Sequence, residues 1–201
     1  MTTLQTRRLL LRRWHDADIV PLAAINADPE VMRWIGDGTT RNLEQTRASV
    51  RAVERQWDEK GIGLFAVEVR ATGHLAGLTG LAVPHFLPEI MPAIEIAWRF
   101  GQPFWGRGIA TEAARAALEF GLASCGLDRI VAVVQVGNGA SERVMQKLGM
   151  RLERQTIDPG SGRQVRVYQV TRSEYLGDSG LTPATGRQPR TAEGIRGRWG
   201  S

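Results

Sequence analysis

The stretch FWGRGIATEA, Phe104 to Ala113, places two glycines and an arginine where a helix should begin. A helix start offers N–H groups without intrahelical partners and a partial positive charge, so it attracts phosphate. Gly106 and Gly108 have no β-carbon to hold an anion away from the main chain, and Arg107 adds a forked, permanently charged donor set. The competing reading is a tight strand–helix turn whose glycines only relieve crowding. Just upstream, AIEIAWRF alternates: Ile94, Ile96, Trp98 and Phe100 share one face, and Glu95, Ala97 and Arg99 the other. Mid-strand, a lone carboxylate such as Glu95 is costly to bury without a task. Its bland alternatives are a solvent-facing residue or a partner for Arg99.

Two nucleotide motifs can be set against the glycine turn. A Walker A loop needs a Gly-Lys dipeptide, and the chain has none. A dinucleotide fingerprint needs a third glycine where Thr111 stands, and the acid about 20 residues on, Asp128, precedes the next strand instead of following it. ATP by the first route is excluded, and a nicotinamide cofactor is disfavoured.

The elements that must position these residues follow from periodicity. RRLLLRRW begins as a strand, and HDADIVPLAAINADPEVMRWI turns helical, with Asp16 or Asp18 as cap and Ile19, Leu22, Ala23 and Ile25 on its apolar side. NLEQTRASVRAVERQWDEKG is a clearer helix: Leu43, Val50, Val53 and Trp57 recur at helical spacing and Gly61 stops it. GLFAVEVR and HLAGLTGLAV read as a hairpin through ATG. After the glycine turn, Ile109, Ala113, Ala116, Ala117 and Phe120 form one helical stripe, with Glu112 and Arg115 on its exposed side. RIVAVVQV is a buried strand, NGASERVMQKLG a short helix, and MRLERQTI and RQVRVYQV a closing pair. The segment from Ala93 to Val136 is a strand–helix–strand crossover whose outer strands should lie parallel. From Gly177 on, apolar periodicity is lost and the composition predicts a disordered, arginine-containing tail.

Composition bounds the function. A chain of 201 residues with 42% hydrophobic and 23% charged residues fits one globular domain with a sizeable core. No apolar run approaches the roughly 20 residues a bilayer span requires, and the three-leucine run near the N-terminus is no signal-peptide core. Cys125 is the single cysteine, which excludes an internal disulfide and a cysteine metal cage. His15, His74 and His85 are scattered without metal-ligand spacing, so no metal is expected. A reduced, cytoplasmic protein is the expectation. The net charge of +5 comes from 26 basic residues, of which only Lys60 and Lys147 are lysines. The arginines are spread along the chain, which does not point to nucleic acid.

In this order and spacing, LQTRRLLLRRW, NADPEVMRWIG, AIEIAWRF, FWGRGIATEA, NGASERVMQKLGMR and VYQVTRSEY resemble the GNAT superfamily of acyl-CoA-dependent N-acetyltransferases, specifically its RimJ/RimL-type, ribosomal-protein acetyltransferase-like branch. The resemblance covers Leu4 to Tyr175 and implies a GNAT domain over residues 1–176, with the tail at 177–201 outside it. It implies an α/β (α+β) fold with a central, mixed, splayed β-sheet of about six or seven strands flanked by helices. Trp105, Gly106, Arg107, Gly108, Ile109 and Ala110 fill the family's pyrophosphate loop, with Thr111 beside it. The pantetheine arm of acetyl-CoA is expected to pair with the strand at Ala97, Trp98 and Arg99. Asn138 and Ser141 match the family's N-x-x-S: Asn138 is expected to contact the pantetheine, and Ser141 to sit near the thioester sulfur as acid or positioning group. Both are also natural first-turn residues of a helix. Gly137 departs from the Glu that many members carry there, and no tyrosine fits the acid position of other branches. Trp34 and the loop HFLPEIMP fall where the family shapes its acceptor pocket.

Amine acetylation needs a neutral nucleophile, and α-amines (pKa about 8) and lysines (about 10.4) are mainly protonated at neutral pH. A general base is therefore useful, and Glu95 is the candidate. The expected function is direct acetyl transfer from acetyl-CoA to a primary amine, a protein N-terminus or a small amine. Two alternatives remain at this stage: an acyl-CoA-binding module without turnover, and an RNA- or ribosome-associated protein acting through the tail. Acetyl-CoA and an amine acceptor are the expected partners, without membrane or nucleic acid. A homodimer is compatible with the sequence.

Overall fold

A computed structural model of the chain describes residues 2–178. Eight strands form one sheet in the order β1-β2-β3-β4-β5-β6-β8-β7. These are β1 (Leu4–Gln5), β2 (Leu9–Arg12), β3 (Leu64–Val69), β4 (His74–Ala82), β5 (Glu95–Phe100), β6 (Arg129–Gln135), β7 (Arg151–Ile157) and β8 (Gln164–Thr171). All neighbours run antiparallel except β5 and β6, which are parallel as the intervening crossover requires. The sheet is mixed and open, as expected, with one strand more than six or seven. The extra strand, β1, is two residues folded back on Leu10 and Leu11, too short to carry an alternation.

The helices are α1 (Ile19–Asn26), α2 (Pro29–Met32), α3 (Leu43–Lys60), α4 (Ile109–Glu119), α5 (Gly139–Lys147) and α6 (Arg172–Asp178). The first helical stretch is broken in two because Asp28 precedes Pro29, and a residue before proline is driven out of the helical region. Asp28 is accordingly extended, and its carboxylate accepts from the Glu30 N–H at 2.9 Å to start α2. Asp18 makes no side-chain cap on α1 itself; its carboxylate accepts from the His15 N–H, closing the 3-10 turn Asp16–Asp18 that leads into the helix, and pairs with Arg12. α3 opens on a reciprocal Asn42–Gln45 capping box and stops at Gly61, in the left-handed region. Leu43 is exposed, and Val50 and Trp57 carry its buried stripe.

Two apolar layers cover the sheet. On one face, Ile109, Ala113, Ala117 and Leu118 of α4 and Met145 of α5 pack against Ile96, Phe100, Ile130 and Ala132. On the other, Ile19 and Leu22 of α1 and Val50 of α3 pack on Ala66 and Leu78, while Leu87 and Ile90 cover Val131 and Val167. Burial of this order, at about 25 cal/mol per Å² of apolar surface, is what fixes the sheet between its helices. The expected tail falls outside the described residues except for Gly177 and Asp178, which finish α6.

Candidate active site

The parallel junction is where the sheet opens. β5 and β6 share a single registered pair, Glu95 with Val131, and the Val131 N–H donates to the Ile94 carbonyl at 2.9 Å. On the other edge of β5 the ladder to β4 is complete, with Gly101 N–H donating to Ala76 and the Ala97 carbonyl accepting from Thr79 Oγ1. Main-chain groups alternate along a strand. The odd residues therefore bond β4, and the N–H and C=O of Trp98 turn toward the gap. Beyond the bridge the strands part, and the next N–H of β6, that of Val133, donates to the Glu95 carboxyl at a long 3.4 Å.

A cavity of about 390 Å³ fills the fork, and Glu95, Ala97, Trp98, Arg99, Asn138 and Ser141 all line it. Glu95 is buried, only 8% exposed, and among the described residues it pairs with no arginine. Burial raises its pKa from 4.5 to about 8, and the Val133 N–H opposes only part of that shift. Arg99 instead donates from Nη1 to Asn26 Oδ1 at 2.6 Å. The sequence alternative of a Glu95–Arg99 pair is not what the fold makes: the two sit four residues apart on one face, roughly 13 Å from Cα to Cα at strand rise.

Opposite Glu95, the Trp98 indole Nε1 donates to Ser141 Oγ at 3.0 Å. Ser141 is held at the first turn of α5, where its N–H donates to Asn138 Oδ1 at 3.2 Å. Asn138 thus caps the helix with its carboxamide oxygen, leaving the amide NH₂ for a ligand. Gly137 has φ +100, and a β-carbon there would meet the Trp34 ring at 3.4 Å. A glutamate at this position would have to adopt a disfavoured backbone, with its β-carbon in contact with Trp34, which lines the cavity with Ile35, Gly36 and Phe86.

The glycine turn lies outside that lining, on the surface beyond the C-terminal end of β5. Gly106 and Gly108 have φ +69 and +73, and a β-carbon on Gly106 would meet nothing within 4 Å. The first intrahelical bond of α4 runs from Glu112 N–H to the Gly108 carbonyl, so the N–H groups of Ile109, Ala110 and Thr111 precede it. Ile109 itself is buried, so only its main chain is available there. Arg107 is exposed and donates to the Pro103 carbonyl at 3.2 Å. Trp105 is half-exposed, its indole donating to the Phe100 carbonyl at 2.7 Å. An open turn, free N–H groups and a nearby guanidinium fit a diphosphate.

Glu112 is not the idle surface residue that helical periodicity suggests. It accepts from Thr6 Oγ1, from the Arg8 N–H and from Arg8 Nε at 2.6–3.0 Å, while Arg8 Nη1 also donates to the Arg107 carbonyl. Burial alone would raise its pKa, but these hydrogen bonds outweigh it and hold the carboxyl below its ordinary value. The partners come from a hairpin about a hundred residues upstream, and no local spacing marks them. Arg115 likewise donates to the Lys147 carbonyl at 2.6 Å, tying α4 to α5.

Three further cavity residues carried no signal in the sequence. Asn26 falls within the first helical stretch, Arg41 just ahead of the second and Gln135 within RIVAVVQV, and no motif marks them. In the fold, Asn26 and Gln135 are buried and all three line the fork. Arg163 donates to Gln135 Oε1 and to the Arg33 and Asp37 carbonyls, pinning the Trp34 loop at the cavity mouth. Among the described residues there is no group of three His, Cys, Asp or Glu able to hold a metal, and no helix is long and apolar enough to cross a membrane.

An open sheet splayed at one parallel pair, with a glycine turn leading into the crossover helix, agrees with what the comparisons find. The acetyltransferase (GNAT) domain model matches residues 8–151. The chain belongs to the GNAT acetyltransferase family. Protein YkkB of Bacillus subtilis strain 168 is 35% identical over 150 residues, covering 74% of this chain and 85% of YkkB. The N-acetyltransferase YnaD of the same organism is 31% identical over 150 residues, covering 75% and 83%. A GNAT-family acetyltransferase structure from Bacillus anthracis superposes with a TM-score of 0.72 at 28% identity, covering 86% of this chain and all of that one.

Proposed function

We propose that this GNAT-family chain moves an acetyl group from acetyl-CoA directly onto a primary amine. Acetyl-CoA supplies the activated acyl group; everything else asked of the site can be met by residues of this chain. The N–H groups of Ile109, Ala110 and Thr111, with Arg107, bind the diphosphate. The main chain of Trp98 and the carboxamide of Asn138 receive the pantetheine arm. The Trp98 N–H, directed into the gap, donates to the carbonyl oxygen, an interaction worth about 3 kcal/mol where such donors have been removed from other enzymes.

Glu95 accepts the proton of the incoming amine. A carboxylate with a pKa of about 8 is a stronger base than one at 4.5, and it is better matched to an amine. Ser141 lines the cavity and its oxygen accepts from Trp98, so its O–H can pass a proton to the departing sulfur while the hydroxyl takes up the proton shed by the newly acylated nitrogen. No acyl-enzyme is required. Cys125 does not line the cavity, and burial pushes its thiol up to about 11, so it holds little thiolate at neutral pH.

The observation that carries this reading is the position of Glu95: a buried carboxylate at the last rung before two parallel strands separate, facing the opening. Trp105 ahead of the glycines supports placement in the RimJ/RimL-type branch, where a protein N-terminus is one acceptor class and small amines another. The test is release of CoA thiol across a panel of amines, with the acetylated product identified by mass. Binding of acetyl-CoA without amine-dependent release would remove catalysis from the account.

A further inference from the structure

We infer that the amine accepted at this site carries an acid group, held by Arg99 and Arg41, so that the acceptor is a small amino acid and not a polyamine or a neutral amine. The inference rests on the acetyl-transfer reading above and narrows its acceptor.

Several part-buried arginines of this chain are matched by carboxylates. Arg12 pairs with Asp18 and Glu68, Arg13 with Glu54 and Asp58, and Arg166 with Glu142. Arg99 is different. Some of its surface borders the cavity, but its Nε is sealed from solvent and has no partner, and among the described residues no carboxylate pairs with it. Among the described residues the one hydrogen bond of its guanidinium goes to the neutral carboxamide of Asn26, itself held by Thr46 at 3.0 Å. That contact orients the guanidinium without neutralising it.

Arg41 adds a second positive charge to the same wall. It donates to Ser49 Oγ at 3.2 Å and pairs with no acid among the described residues. Burial, and then the charge of Arg41, lower the Arg99 pKa to about 10, which registers how little the protein itself offsets this cation. The acids that border the cavity lie elsewhere. Asp158 accepts from the Gly160 N–H and Ser161 Oγ, and Glu95 is at the fork.

A buried cation without a counter-charge is a strained arrangement that a ligand carboxylate relieves; with Nε sealed, the Nη1–Nη2 edge of the guanidinium is the side that can donate to it. The geometry sets both ends of such a ligand. Its amine meets Glu95 and its acid meets Arg99, roughly 13 Å further along the same strand face from Cα to Cα, so the ligand spans what the two side chains leave open; Trp14, Leu22 and Val50 line the same cavity. A polyamine would bring more positive charge to two arginines already unpaired. A volume of about 390 Å³ falls within the range of small-molecule pockets.

The test measures kcat/KM for the standard amino acids, for the carboxamide and the decarboxylated amine of each one turned over, for spermidine, and for a neutral peptide N-terminus. The wild type is expected to prefer the acid over its carboxamide by about 100-fold, in line with the discrimination available to a site built around a polar group. Arg99→Gln and Arg41→Gln should each shrink that ratio at least tenfold, mainly through KM for the acid. Equal or faster turnover of carboxamides, spermidine or the neutral peptide by the wild type would overturn the inference. So would an unchanged ratio in a folded Arg99→Gln; if that variant does not fold, the wild-type ratio and Arg41→Gln decide. If no amine is acetylated although acetyl-CoA binds, the acetyl-transfer reading fails. The anion site is then judged by calorimetric titration of the CoA-saturated protein with the same acids and carboxamides: selective binding of the acids retains it, and equal binding removes it.

Discussion

The indole N–H of Trp98 reaches across the fork to the hydroxyl oxygen of Ser141, at 3.0 Å. One residue thereby serves two purposes: its main chain faces the gap, and its side chain fixes the rotamer of the proposed acid. The oxygen accepts from Trp98, and the serine keeps its own O–H for donation within the cavity it lines. Ser141→Ala is expected to lower kcat by about 10- to 100-fold, the lower part of what a positioned acid contributes. KM for acetyl-CoA should move only a few-fold. Trp98→Phe keeps the ring and loses one hydrogen bond, worth about 1 kcal/mol, so its kcat should fall by about fivefold. Full activity in Ser141→Ala would assign the proton to water.

Glu95 should leave its mark on pH profiles of both rate and stability. With a folded pKa of about 8, the base is mostly protonated at pH 6, so kcat/KM should climb with pH and level off above about 8. Glu95→Gln should lower kcat/KM by about 10²- to 10⁴-fold and erase that limb. The stability effect has the opposite sign from a salt-bridged carboxylate. Between pH 4.5 and 8 the unfolded chain has released a proton that the folded chain keeps, so this group's contribution falls by up to about 1.4 kcal/mol per pH unit and then flattens. Urea melts at pH 5, 6.5 and 8 should therefore show Glu95→Gln gaining on the wild type as pH rises. Parallel curves would mean that the carboxyl keeps an ordinary pKa.

Gly108 tests the other end of the site. Its φ of +73 is a conformation that β-branched residues strongly resist, and a β-carbon would stand 3.4 Å from Arg8 Nη2. Gly108→Val should cost about 1–3 kcal/mol of stability and weaken CoA binding by at least tenfold, because the strained turn can no longer present its N–H groups. Isothermal titration with CoA and a thermal melt separate the two effects. A folded variant with wild-type affinity would place the diphosphate elsewhere.

The parts of this molecule legible in the sequence are those encoded locally. The alternation through AIEIAWRF placed Ile96 and Phe100 inside and Glu95 on the opposite face, and the Asn-x-x-Ser spacing placed Asn138 and Ser141 in one helical turn. The parallel pairing of β5 with β6 followed from the crossover between them. What local pattern could not convey is pairing across distance. Whether Arg99 meets Glu95 or Asn26 depends on where α1 lands, 73 positions away from it in the chain. The short β1 and the split between α1 and α2 were missed for a related reason, since two-residue strands and single-proline breaks are too brief to interrupt a periodic reading.

Glu112 offers the sharpest case of such distant encoding. Its carboxylate gathers Thr6 and Arg8 from the first hairpin onto the opening turn of α4, and Arg8 goes on to hold the Arg107 carbonyl. The clamp sits directly behind the turn proposed to receive the diphosphate, and neither Thr6, Arg8 nor Glu112 lines the fork. Glu112→Ala should therefore raise the CoA dissociation constant by about tenfold and destabilise the fold by about 1–3 kcal/mol, the cost of orphaned hydrogen-bonding groups. The pH midpoint set by Glu95 should stay in place. Glu112→Gln retains an acceptor for Thr6 but loses the charge that faces Arg8, so it should recover part of the stability and less of the affinity. Equal CoA affinity in all three proteins would show that the turn holds its shape without the clamp. Its conformation would then be set by Gly106 and Gly108 alone.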